Sequence, residues 1–127
     1  MLSNGKNVAP QPIENKLRAL PHVQEAVVLG DGMEFCCALI VPAFDGVRAA
    51  LGLPPGARLS ESAEARALIK REIDGVNKTL ASFELVKKFM LLDAMFTIES
   101  GELTPTLKVK RKVVRERYAS LIEGMRG

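Results

Sequence analysis

Residues 23–42 read VQEAVVLGDGMEFCCALIVP. Two runs rich in β-favouring residues, Val23 to Leu29 and Phe35 to Pro42, flank Gly30, Asp31 and Gly32, and this arrangement predicts an antiparallel hairpin. Cys36 and Cys37 lie inside the second run, adjacent and too close to bridge each other without strain. With no other cysteine and a single histidine in the chain they offer no metal site, and they read as small core residues of a reducing compartment.

The opening MLSNGKNVAPQP carries an Asn-Gly pair and two prolines without periodicity, and so reads as loop. Ile13, Leu17 and Leu20 then recur at helical spacing, between Pro12 in a first turn and Pro21 beyond the end, which predicts a short helix over about residues 11–20. Downstream of the hairpin, AFDGVRAALGLPPGARL offers a brief helix and a Pro-Pro-Gly break. The clearest helix follows in SESAEARALIKREIDGVNKTLASF, with Ser60 as candidate N-cap and an apolar stripe of Leu68, Ile69, Ile73, Val76 and Leu80. Gly75 interrupts it at a cost of roughly 1 kcal/mol against alanine.

VKKFMLLDAMF reads as a third strand, and TIESGELTPT as a turn and extended loop around Gly101 and Pro105. From about Val109 the spacing becomes helical again, with Val113, Val114, Tyr118, Leu121, Ile122 and Met125 on one face. The order predicts a single α+β domain over residues 1–127, a small, mainly antiparallel sheet of about three strands packed with helices.

Length and composition agree: 127 residues, 47% of them hydrophobic, support one modest core. No apolar run approaches the roughly 20 residues that cross a bilayer, and no secretory signal pattern opens the chain, so a cytoplasmic protein is the default expectation. The formal net charge of +3 is unevenly spread. From Lys108 to Gly127 seven cations face two anions, which suggests a phosphate-bearing or otherwise anionic partner. Lys110, Arg111, Lys112, Arg115 and Arg117 read as the solvated face of the last helix. Neither a P-loop nor a Rossmann glycine motif is present, and His22 lacks the neighbours of a triad or metal centre. What remains is lysine, threonine and loop amides, groups that stabilise anions.

One function class consistent with the basic end is a nucleic-acid-binding module. One tyrosine, no tryptophan and 5% aromatic residues argue against it, as does the lack of a stacking motif.

Two segments carry a more specific pattern. SNGKNVAPQPIENKLRALPHVQEAVVLGDG near the start and FTIESGELTPTLKVKRKVVRERYASLIEGM at the end resemble the C-terminal domain of AMP-forming acyl-CoA synthetases, in particular the long-chain fatty-acid-CoA ligase branch of the adenylate-forming enzymes. The matching features are Gly5, Pro10 and Ile13-Glu14 in the first segment, and LTPTLKVKR in the second, where Leu107 stands in place of the glycine common elsewhere in the superfamily.

The resemblance implies a lid that closes on an N-terminal domain binding ATP, Mg²⁺ and a fatty acid, then rotates between two half-reactions. Lys108 corresponds to the lysine used in acyl-adenylate formation, with Thr106 on the loop near the adenylate. Asn4, Gly5 and Lys6 correspond to a loop lining the CoA channel for thioester formation. No metal ligand is implied on this chain, and any peripheral membrane association would come through the parent enzyme. The chain would begin in the loop after the interdomain hinge, and alone it is expected to be inactive. A regulatory or interaction module that keeps the lid fold without the chemistry is the alternative.

Overall fold

The computed structural model describes residues 8–30, 35–54, 58–81, 84–93, 95–106 and 108–126. Strand β1 (Val23–Leu29) and strand β2 (Cys36–Pro42) pair antiparallel, with Ala26 opposite Ile40 and Val28 opposite Ala38. This is the hairpin expected from the two β-rich runs; Asp31 and Gly32 of its turn lie outside the described residues. Strand β3 (Val86–Leu91) pairs with β2 in parallel, giving the order β1-β2-β3. The sheet is therefore mixed, where the sequence pattern suggested a mainly antiparallel one. The reason is the connection: a parallel return needs a long crossover, and residues 43–85 supply one through helices α2 (Phe44–Leu51) and α3 (Ala63–Asn77).

β2 is buried at every position because it is central and covered on both faces. On one face Ala26, Val28, Cys36, Ala38 and Ile40 meet Ile13 and Leu17 of α1 (Pro10–Arg18) and Ala65, Ile69, Ile73 and Val76 of α3. On the other, Val27, Leu29, Cys37, Leu39 and Val41 meet Phe96, together with Val114 of α4 (Arg111–Arg117) and Ile122 of α5 (Ala119–Arg126). The domain is thus a three-layer sandwich whose two cores are separated by the sheet. Strand alternation sends the adjacent Cys36 and Cys37 into opposite cores.

Local chemistry sets the boundaries. α3 starts two residues later than Ser60 suggests, because its N-cap is Ser62, whose hydroxyl accepts from the Ala65 amide. Ser60 instead sits in a 3-10 turn, Leu59–Glu61, and its hydroxyl donates to Asp93 beyond β3 at 2.6 Å. Arg58 reaches the same carboxylate at 3.0 Å, and together they hold the fully buried Leu59 against the core. The last helical segment, continuous in the sequence pattern, breaks at Tyr118 into α4 and α5.

Gly75 lies on the exposed side of α3, and a Cβ placed there meets nothing within 4 Å. Gly75→Ala is therefore expected to stabilise the fold by about 0.5–1 kcal/mol, the helix-propensity difference with no steric cost. Urea denaturation of the two chains measures it; a lower midpoint for the alanine variant would contradict the open environment.

Candidate functional site

Residues 97–106 and 108–110 belong to a hairpin-like loop between β3 and α4. Its base is the antiparallel bridge between Leu103 and Val109, with the Lys110 amide donating to the Glu102 carbonyl at 2.7 Å. Gly101 turns the chain with φ of 86°, a left-handed conformation that side chains disfavour. At the tip the Thr104 amide donates to the Lys108 carbonyl at 2.8 Å, and the Lys108 amide returns a bond to the Thr104 hydroxyl at 3.0 Å. The Thr104 and Thr106 hydroxyls are 3.0 Å apart. Thr104 thus closes the tip through a hydroxyl-to-backbone bond.

Lys108 is exposed, and none of the described side chains engages its ammonium. A cation presented this way is available to an incoming anion. Thr106 sits beside it on the same exposed tip. Leu107, Asn4, Gly5 and Lys6 lie outside the described residues, so the expected CoA-channel loop receives no structural placement.

The loop is anchored at both ends by buried carboxylates. Glu102 is 2% exposed; it accepts from the Ser100 hydroxyl at 2.5 Å and the Tyr118 hydroxyl at 3.1 Å, with Arg117 3.9 Å away. At the other end Arg111, the first residue of α4, forms a two-pronged ion pair with Glu14 of α1 at 2.8 and 2.9 Å. The same guanidinium donates to the Val28 carbonyl at 2.9 Å, while the Val28 amide donates to Glu14 at 2.8 Å. β1 is an edge strand, and this carboxylate and guanidinium occupy the backbone positions that a further strand would fill.

Two of the cations assigned to a solvated helix face therefore have other duties. Arg111 is committed to a 4% exposed glutamate, and Arg117 donates to the Ser100 carbonyl at 2.9 Å. Lys110, Lys112 and Arg115 are exposed. Sequence reasoning did not find the buried roles of Glu14, Glu102 and Arg111; Glu14 entered only as part of the Ile13-Glu14 pair of the family resemblance. His22 is also paired, with Glu72 of α3.

Beside the hairpin, Gln24, Glu25, Val41, Met95, Phe96 and Leu103 line a shallow hollow. Met95 is 50% and Ile98 44% exposed, so apolar surface lies open on this part of the domain. Among the described residues no cluster of acidic, histidine or cysteine side chains could hold a metal ion, and no helix is long and apolar enough to cross a membrane.

With this geometry in view, residues 1–126 match the family model of the AMP-binding enzyme C-terminal domain, and the chain belongs to that family. It is 43% identical over 130 aligned residues to the long-chain-fatty-acid-CoA ligase FadD15 of Mycobacterium tuberculosis, an alignment covering 97% of this chain and 22% of that protein. It is 28% identical to the long-chain-fatty-acid-CoA ligase ACSBG2 of Gallus gallus, covering 95% of this chain and 19% of that one. The chain thus spans about a fifth of the length of these relatives. Among solved structures, the adenylation domain of a carboxylate reductase from Mycobacterium chelonae superposes with a TM-score of 0.81 at 25% identity, over 98% of this chain and 18% of that one.

Two measurements test the anchors. Removing one partner of a buried, hydrogen-bonded ion pair strands the other, so Glu14→Ala is expected to cost about 2–4 kcal/mol of stability in urea denaturation. A cost below about 0.5 kcal/mol would mean that the pair is only a surface contact. The Tyr118 phenol, the only tyrosine in a chain without tryptophan, is held above its ordinary value of 10 by burial, then by the Glu102 charge and hydrogen bond. The neutral phenol is the form the fold favours. Its contribution is complete below the unfolded value and is lost as pH rises through the folded one. Absorbance at 295 nm should therefore rise at higher pH in the folded chain than in urea, and Glu102→Gln should lower the folded midpoint. Coincident folded and unfolded titrations would contradict the buried pairing.

Proposed function

We propose that this chain is the lid domain of an ATP-dependent fatty-acid-CoA ligase and supplies Lys108 to acyl-adenylate formation. The observation that carries the reading is the two-anchored hairpin that holds an exposed lysine at its tip, unengaged by any of the described side chains. The similarity to long-chain ligases along nearly the whole chain supports the substrate class.

In the first half-reaction a carboxylate oxygen of the fatty acid bonds to the α-phosphorus of ATP, and the bond from that phosphorus to the bridging oxygen of pyrophosphate breaks. Anions meet, and charge gathers on the phosphoryl oxygens. A compact ammonium on a long stem can approach and neutralise it, and phosphoryl transfer is governed largely by such positioning and electrostatics. Thr106, on the same tip, would lie near the adenylate. ATP, Mg²⁺ and the fatty acid would be held by an N-terminal adenylation domain, the partner of this chain. The open apolar surface at Met95 and Ile98 suits contact with such a domain.

The lid would then rotate, a hinge motion that completes the second catalytic arrangement. The CoA thiol bonds to the acyl carbonyl carbon, AMP leaves, and the thiol proton passes to solvent. Asn4, Gly5 and Lys6 would line the CoA channel, with Gly5 permitting close backbone approach. On this reading the 127-residue chain alone releases no pyrophosphate.

The test is Lys108→Ala in a complete ligase carrying this domain, followed by acid-dependent exchange of pyrophosphate into ATP. Loss of a positioned electrostatic donor predicts a fall of about 100- to 1,000-fold. Adenylation within two- to threefold of the parent would overturn the assignment, and so would pyrophosphate release by the isolated chain.

A further inference from the structure

The geometry assigns Glu14 and Arg111 as positioning residues for Lys108 in the adenylation step, acting through the strap they form across the edge of the sheet. This inference rests on the proposed role of Lys108 and adds two residues that neither touch substrate nor belong to the presented tip.

A lysine side chain is long and rotatable, so where its ammonium can reach depends on where its backbone is held. Lys108 has no side-chain partner among the described residues. Its location is therefore set by the hairpin, and the hairpin by its ends. At the C-terminal end, two residues separate Lys108 from Arg111, and the carbonyl of one of them, Lys110, accepts the Val114 amide to start α4. Lys110 makes no side-chain cap there, which leaves the helix start without the usual local clamp. The clamp is remote: the Arg111 guanidinium binds both carboxylate oxygens of Glu14 and the Val28 carbonyl.

Glu14 cannot follow a shift of α4. Its carboxylate is also held by the Val28 amide, and its helix packs Ile13 and Leu17 into the core at 1% and 0% exposure. The fork geometry of a guanidinium fixes orientation as well as distance, which a lysine ammonium at the same place would not. A solvated helix cation would show none of these contacts. The Glu102 anchor secures the other end of the same loop, so freeing the Arg111 end leaves the hairpin closed by its own backbone bonds but tied by a buried carboxylate at one end only.

The experiment is a double-mutant cycle in a complete ligase carrying this domain, with Arg111→Lys, Glu14→Gln, Lys108→Ala, and each of the first two combined with the third. Adenylation is read by pyrophosphate exchange and thioester formation by CoA reacting with supplied acyl-adenylate. Thermal denaturation of each variant keeps the comparison to folded protein. Arg111→Lys and Glu14→Gln are expected to lower kcat for adenylation by about 10- to 100-fold, since a displacement near 1 Å has effects of that order. Thioester formation should stay within threefold. In the Lys108→Ala background the same substitutions should change adenylation by less than about twofold, because the group they position is gone.

Equal losses in both half-reactions, or losses that multiply in the Lys108→Ala background, would overturn the inference in favour of a purely structural strap. Full adenylation in Arg111→Lys and Glu14→Gln, with Lys108→Ala inactive, would overturn it and leave the role of Lys108 standing. Full adenylation in Lys108→Ala would remove the reading beneath both.

Discussion

A buried carboxylate must find its charge partner inside the protein, and Glu14 imposes that requirement on this fold. It sits on α1, on one side of the sheet, yet its partner Arg111 opens α4, whose Val114 packs on the other side. The two can meet only by passing the sheet edge, and they do so at Val28, using both of its outward backbone groups. The ends of the chain are thereby joined around β1. The same contact removes bonding positions from an edge strand that could otherwise pair with another chain.

The two cores divide the remaining work. α1 and α3 cover one face of the sheet with aliphatic residues at near-zero exposure, a firm base. The second face is covered by shorter pieces, α4, α5 and the loop residues Phe96, Leu103 and Val109. Polar links hold this layer together, with Glu102, Tyr118, Ser100 and Arg117 bonded beneath the hairpin. A side chain presented on a loop needs a backing of this kind, rigid at the base and polar at the attachment points, because a loop has little packing of its own.

Much of this was legible in the residues. The hairpin, the third strand, the long helix and the loop around Gly101 and Pro105 follow from periodicity and turn residues, and β1 has the bounds that its β-rich run gave. The parallel placement of β3 was not, because strand direction depends on where a crossover returns and not on any local signal. Nor was the N-cap at Ser62, since Ser60 and Ser62 are equally good local candidates and the choice falls to Asp93, distant in sequence. Lys108 was singled out only through the family resemblance, whereas the commitment of Arg111 to Glu14 could not be read from a run of cations. Their separation by 97 residues leaves no local trace.

Cys36 and Cys37, neighbours on the most deeply buried strand, have a use of their own. Each side chain is 0% exposed and each looks into a different core. A thiol reagent reaches Cys36 only when the layer of α1 and α3 lifts, and reaches Cys37 only when that of α4 and α5 does. The pair is thus a built-in two-channel reporter on which side of the domain opens first.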